Sequence, residues 1–140
     1  MPWFAAHAIG YCRWKDVPQD KFNVEEEVFL VEADDAASAW RVSEVLGRES
    51  AGDDGGSLTE YGHPAERVFV GLRKVVQIPE YLNFTRPGHG DEVTHSTYVL
   101  NDLASVEALA AGEQVDLRYV ETRAAYLRED FERDAGEANL

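Results

Sequence analysis

The sequence predicts an α+β fold: a mainly antiparallel sheet of five to six strands with two packed helices in the order ββα-ββαβ, and a helix at the C-terminus. Three observations predict it. Two strand-like runs are joined by a short turn around Pro18, as in a hairpin. Two amphipathic stretches each follow a strand, open at an aspartate-rich cap and close at a glycine. The chain has 140 residues, 44% hydrophobic and 11% aromatic, enough to fill one core.

Trp3 to Trp14 reads as the first strand, where aromatic, alanine and β-branched positions alternate with His7, Tyr11 and Arg13. Asp16-Val17-Pro18-Gln19-Asp20 turns the chain into a second strand, Val24 to Ala33. Its run Val28-Phe29-Leu30-Val31 is the mark of a strand covered on both faces. Asp34 or Asp35 then caps a helix with the stripe Ala36, Ala39, Trp40, Ser43 and Leu46, and Gly47 is its expected left-handed stop. Gly52-Asp53-Asp54-Gly55-Gly56 reads as a flexible linker. Leu58 to Tyr61 is a short strand, and Gly62-His63-Pro64 a turn.

Arg67 to Ile78 is a long strand. Alternation puts Val68, Val70, Leu72, Val76 and Ile78 on one face with Lys74 among them, and Arg67, Phe69, Gly71, Arg73 and Val75 on the other. Gly71 in mid-strand points to a bulge or to a close approach of another group. Tyr81 to Gly90 is a loop and Glu92 to Leu100 a strand. Asn101 or Asp102 caps a second helix with the stripe Leu103, Val106 and Ala110 and the stop Gly112. Gln114 to Val120 is the last strand, and Ala124, Leu127 and Phe131 are spaced for an amphipathic helix. Residues 1–121 are thus one α+β domain, and 122–140 a C-terminal helix with a frayed tail.

Charge narrows the partners. There are 27 acids and 13 bases, a formal charge of -14. Nucleic acid and anionic membrane both require a positive field, so neither is expected. A basic protein partner is compatible with the charge, although acidity serves solubility first. No run approaches the ~20 apolar residues of a membrane span, the N-terminus lacks the pattern of a signal peptide, and Cys12 is alone; together these point to the cytoplasm.

The candidate sites are few. His7, His63, His89 and His95 show no local metal-ligand spacing; His89, Glu92 and His95 would be the nearest to a metal site, and hydrogen-bonded histidines are the favoured reading. No metal or cofactor is expected. Cys12, among Ala6, Ala8 and Gly10, reads as a packed thiol rather than a nucleophile. Arg67 and Arg73 on one strand face, with Arg86, His89 and His95 on the following segment, are the best candidates for receiving an anion or carboxylate, and Lys74 points to the opposite face. Glu25, Glu26 and Glu27, with Asp53 and Asp54, are the candidates for meeting a partner. Alternation sends Glu26 one way and its neighbours the other. The bases Arg67, Arg73, Lys74 and Arg86 make the molecule polarised rather than evenly acidic.

A set of motifs adds a resemblance. They are Trp3-Phe4-Ala5-Ala6-His7, Val31-Glu32-Ala33-Asp34, Gly62-His63-Pro64-Ala65, Phe69-Val70-Gly71-Leu72-Arg73-Lys74, Gly90-Asp91-Glu92-Val93-Thr94-His95-Ser96, and Gly112-Glu113-Gln114-Val115 leading to Tyr119. In this order the chain, over about residues 3 to 121, resembles a bacterial family catalogued as domain of unknown function 4288. The resemblance implies one α+β domain. It carries no reaction and no ligand.

Three functions remain. A non-catalytic protein-binding module, immunity- or inhibitor-like, would meet a basic partner through an acidic face. An enzyme or small-anion-binding protein would use the Arg73, Arg86, His89 and His95 region. A homo-oligomeric scaffold component would make contact through the long strands or the Phe131 helix. The first is favoured, because the charge is extreme and no catalytic signature accompanies it.

Overall fold

The computed structural model describes residues 1–80, 87–121 and 125–138. The chain runs through β1 (Trp3–Trp14), β2 (Val24–Glu32), α1 (Ala36–Glu49), β3 (Thr59–Glu60), β4 (His63–Gln77), β5 (Thr97–Val99), α2 (Leu103–Ala110), β6 (Arg118–Val120) and α3 (Arg128–Ala138). The fold is α+β and every strand pairing is antiparallel, but the strands divide between two sheets. One has the order β2-β1-β4-β3, and the other pairs β5 with β6. The remaining edge of β4 is occupied by β3, by Gly52 opposite Arg67, and by Tyr126 exchanging both backbone bonds with Val75 at 2.8 Å. The strand regions expected over Glu92 to Leu100 and Gln114 to Val120 pair for only three residues each.

One face of the large sheet is the core. Phe4, Ala6 and Ala8 of β1, Val31 of β2, and Leu72 and Val75 of β4 are buried against Ala39 and Trp40 of α1. Asp35 caps α1, accepting from Ser38 N at 2.7 Å, as its short side chain and extended backbone allow. The buried stripe is Ala39, Trp40, Ser43 and Gly47. Gly47 is not the helix stop: the helix continues to Glu49, and Phe69 lies against the helix backbone at Gly47, where a Cβ would overlap the ring. α3 closes the same side. Phe131 stacks on Trp40 with ring centroids 5.5 Å apart, and Tyr126 meets Trp40 edge-on.

The other, outer face is covered unevenly. Ala5 and His7 of β1 and Lys74 and Val76 of β4 are buried, whereas Val24, Val28 and Leu30 of β2 are exposed. β2 is therefore covered on one face, not on both as its apolar run suggested. Two register shifts in β4, between His7/Ala8 and between Ile9/Gly10 of its partner, leave Val70 and Arg73 as extra residues. Each shift inverts the alternation. Arg67, opposite Cys12, stays on the α1 side, while Arg73 and Lys74 both turn to the outer face. Arg67 and Arg73 do not share a face, and Lys74 does not oppose Arg73: a strand with two insertions does not keep period two.

Residues 87–121 form an arm. β5 runs out, α2 follows, and β6 returns beside β5. Asp102 caps α2 through Ser105 N at 2.7 Å, and Gly112 takes a φ of 79° after it, the left-handed conformation expected of a stop. No residue of this arm is buried, and α2 makes no extensive contact with another element among the described residues.

Candidate functional site

A dense polar cluster lies on the outer face, where the arm joins the sheet. His7 sits on β1 directly opposite Lys74 of β4 and Val28 of β2, so all three side chains leave the sheet on one side. Ala5, two residues before His7 on the same face of β1, is small and buried beside the imidazole. Nδ1 of His7 is 2.9 Å from Glu26 Oε2, and Nε2 is 2.5 Å from Thr94 Oγ1. Burial lowers the His7 pKa against the opposing hydrogen bond from Glu26, and the charge of Lys74 adds to the lowering. The ring is neutral at pH 7. Its Nδ1–H donates to the carboxylate, and Nε2 accepts from the Thr94 hydroxyl.

Two cations complete the cluster. Lys74 is 1% exposed, and its Nζ donates to the His95 carbonyl at 2.7 Å and to Ser96 Oγ at 3.2 Å. Arg73 donates from Nε to Glu121 at 3.1 Å and from Nη1 to Glu26 at 3.2 Å, and its guanidinium stacks on the Tyr119 ring. Tyr119 in turn donates to Glu121 at 3.1 Å. Burial alone would raise the Glu26 pKa; the His7 hydrogen bond and the Arg73 charge outweigh it and hold the carboxyl below its ordinary value. The donors and acceptors are engaged with one another. Lys74 and His7 hold the start of the arm at Thr94 to Ser96, and Arg73 holds its end at Tyr119 to Glu121.

The sequence candidates separate. Arg73, Glu26 and His95 enter this cluster, His95 through its backbone carbonyl while its Nδ1 lies 3.2 Å from Glu92. His89 is exposed on the arm, and Arg86 lies outside the described residues. Arg67 is on the other side of the sheet, in a two-pronged bond to Asp54 at 2.7 and 2.9 Å. Asp53 is bonded by Lys15 and accepts from Gly56 N, so the Gly52–Gly56 segment is pinned to β4 and β1 rather than a free linker. Among the described residues no group of three His, Cys, Asp or Glu is placed to hold a metal. Sequence reasoning missed His7 as a site residue, together with Lys74, Thr94, Tyr119 and Glu121. The available signals were a lysine interrupting an apolar strand face and a histidine enclosed by alanines.

A second concavity lies on the α1 side of the sheet, beyond the end of the helix. Ala8, Gly10 and Cys12 form its floor, Glu25 and Glu27 one wall, and Ser50, Arg67 and Phe69 the other. Strand alternation thus separates Glu25 and Glu27 from Glu26. The pocket has a volume of about 40 Å³, room for water rather than for a substrate of ordinary size. Burial, followed by the neighbouring Glu60, raises the Cys12 pKa, so its thiol stays protonated and unreactive at pH 7.

Among the described residues no helix is long and apolar enough to cross a membrane. No protein-family model, no curated protein and no solved structure matches the chain.

Proposed function

We propose that this chain is a non-catalytic protein-binding module, of the kind an immunity or inhibitor protein represents, and that the arm β5–α2–β6 is its docking element. One observation carries the reading: residues 87–121 include Tyr98, Val99, Leu103, Val106 and Leu117, yet none of their side chains is buried. An eight-residue helix is marginal in water on its own and draws its stability from burying an apolar face. In α2 the residues of that face, Leu103, Val106 and Ala110, are exposed. Protein surface is the natural cover for such a stripe. The polar cluster fits the same reading as a clamp that presents the arm.

The anion-binding alternative has less support. The fork of Arg73 is already filled by Glu26 and Glu121, and Lys74 is enclosed. Membership of the family catalogued as domain of unknown function 4288 belongs to the same proposal. Its support is that His7, Arg73, Lys74, Thr94, His95, Ser96 and Tyr119, drawn from separate motifs, meet in this one cluster.

The test is retention of a protein on the immobilised chain at low and high salt, with L103D/V106D as the comparison. A protein held by the wild type and lost by the variant supports the docking arm. If the wild type holds no protein and does not self-associate under any condition, the reading is wrong.

A further inference from the structure

We infer that His7 is a proton-operated latch for the arm: uptake of a proton at its Nε2 releases residues 94–121 from the outer face of the sheet, while the sheet and its helices stay folded. The inference goes beyond the docking reading, since it concerns how the arm is held, whatever the arm meets.

The latch stands on where His7 sits. Its side chain is 3% exposed and bridges the body to the arm, with Nδ1 on Glu26 of β2 and Nε2 on Thr94 at the base of the arm. Beside it on β4 is Lys74, its direct cross-strand neighbour, which donates to the His95 carbonyl and to Ser96 Oγ. Among the described residues, the hydrogen bonds these two side chains make beyond the sheet go to Thr94, His95 and Ser96. An imidazole and an ammonium, side by side, thus grip three consecutive residues.

A proton at Nε2 acts on both grips. The nitrogen can no longer accept from Thr94, and the hydroxyl keeps the contact only by turning its own hydrogen elsewhere. The new charge also lies next to an ammonium that is 1% exposed, where little water screens the two. The other charged groups facing the ring are Glu26 and, from the end of the arm, Glu121, with Arg73 bonded to both. Glu92 and His95, further along the arm, pair with each other.

Linkage gives the direction. A proton favours whichever state of the arm binds it more tightly. With the arm seated, burial is the largest effect on His7 and Lys74 opposes the charge as well, so the ring resists the proton despite Glu26. Lifting the arm admits water to the ring and to Lys74, which relieves the first effect and screens the second. Glu26 belongs to β2 and stays beside the ring. The attraction of Glu121, the smallest of these effects, leaves with the arm. The released state is therefore the better base. The arm is seated above about pH 6.5, the ordinary value for histidine, and is drawn off as pH falls below it.

The arm gives way before the body because less holds it. No side chain of residues 87–121 is buried, whereas Phe4, Trp40 and Leu72 pack on the opposite side of the sheet and keep their contacts when the arm lifts. Glu26, held below its ordinary value, is still ionised over this range and keeps its end of the ring.

The experiment is nuclear magnetic resonance of the isotope-labelled full chain from neutral pH down to about pH 5. The His7 ring nitrogens report its titration. Amide exchange, corrected for its intrinsic pH dependence, reports the arm at residues 94–96 and 118–121 and the body in β1 and β4. Protection of the arm is expected to fall severalfold along the His7 titration, with the body unchanged. His7→Asn has no ring to protonate and should abolish the response. Lys74→Met removes the neighbouring charge, so the response should shrink and move to higher pH, whereas His95→Asn should leave it in place. Arm protection that stays constant while His7 takes up its proton overturns the inference. So does loss of arm and body protection together, or a response that persists in His7→Asn. If His7→Asn fails to fold, wild type and Lys74→Met decide, and a response unchanged in Lys74→Met overturns the inference.

Discussion

Replacing Arg73 with methionine is expected to loosen the arm and destabilise the chain together. Arg73 bonds both Glu26 and Glu121, at 3.2 and 3.1 Å. Hydrogen bonds to charged groups contribute about 1.5–3 kcal/mol each when shielded from water. Here the carboxylates are 29% and 28% exposed and the guanidinium 31%, so roughly half of that survives, about 2 kcal/mol for the pair. Two acids left facing one another without their cation add ~1 kcal/mol. The expected loss is about 2–3 kcal/mol, a fall in Tm of roughly 6–10 °C for a chain of this length. Methionine keeps the unbranched stem, so packing is largely retained.

The assay is thermal unfolding followed by circular dichroism, paired with amide hydrogen exchange. Protection is expected to fall at Thr97 to Val99 and Arg118 to Val120, while Phe4 to Ala8 keep the protection set by global stability. Adding Glu121→Gln to the variant removes the repulsion and should recover about 1 kcal/mol, a coupling visible in a double-mutant cycle. Lysine at position 73 should rescue little, because an ammonium cannot fork to two carboxylates and stack on Tyr119 at once. A Tm within 1 °C of wild type, or a lower Tm with arm protection unchanged, would refute the clamp.

Three further outcomes are expected. Trp40→Ala empties the centre of the core, where the ring is fully buried and stacked on Phe131, and should cost about 3–5 kcal/mol in urea unfolding; a loss under 1 kcal/mol would show that α3 does not seal this site. Ser43→Ala removes a buried hydroxyl that has no hydrogen-bond partner among the described residues and should raise stability by about 1 kcal/mol, with a lower urea midpoint as the contrary result. Acid should destabilise the chain in two steps: the lowered His7 pKa gives stability complete above the unfolded value of about 6.5 and lost below it, and the lowered Glu26 pKa gives stability present above about 4.3 and lost as pH falls further. Urea midpoints against pH should therefore rise up to about pH 6.5, and His7→Asn should flatten the upper part of that rise.

What could be read from the sequence was local. Both helices, with their caps at Asp35 and Asp102, follow from apolar spacing and a short acceptor at the right place, and β1 and β2 follow from composition and a short turn. The faces of β4 could not be read that way. Alternation is a rule about an uninterrupted ladder, and the extra residues Val70 and Arg73 break it twice, with Gly71 between them as the only local trace. The cluster was hidden for a different reason. His7 and Thr94 are 87 positions apart, and nothing near either one indicates the other. Glu26, Arg73 and His95 were named from charge and residue type, but their grouping required the arm to return to the sheet. The exposure of the arm was also illegible, because an apolar stripe has the same spacing whether or not something lies against it.

The clamp has a consequence for how the arm can change. Its two ends are gripped by consecutive residues, Lys74 at His95 and Ser96 and Arg73 at Tyr119 and Glu121, and β5 and β6 pair at the stem. The stretch between Leu100 and Leu117 is therefore a closed loop whose closure is enforced from its base. Since doubling the length of such a loop costs only about 0.6 kcal/mol, the mount can accept inserts of very different size. The body of this protein is in that sense a socket. A foreign helix or hairpin grafted between Val99 and Arg118 would inherit its anchorage without any redesign of the sheet beneath it.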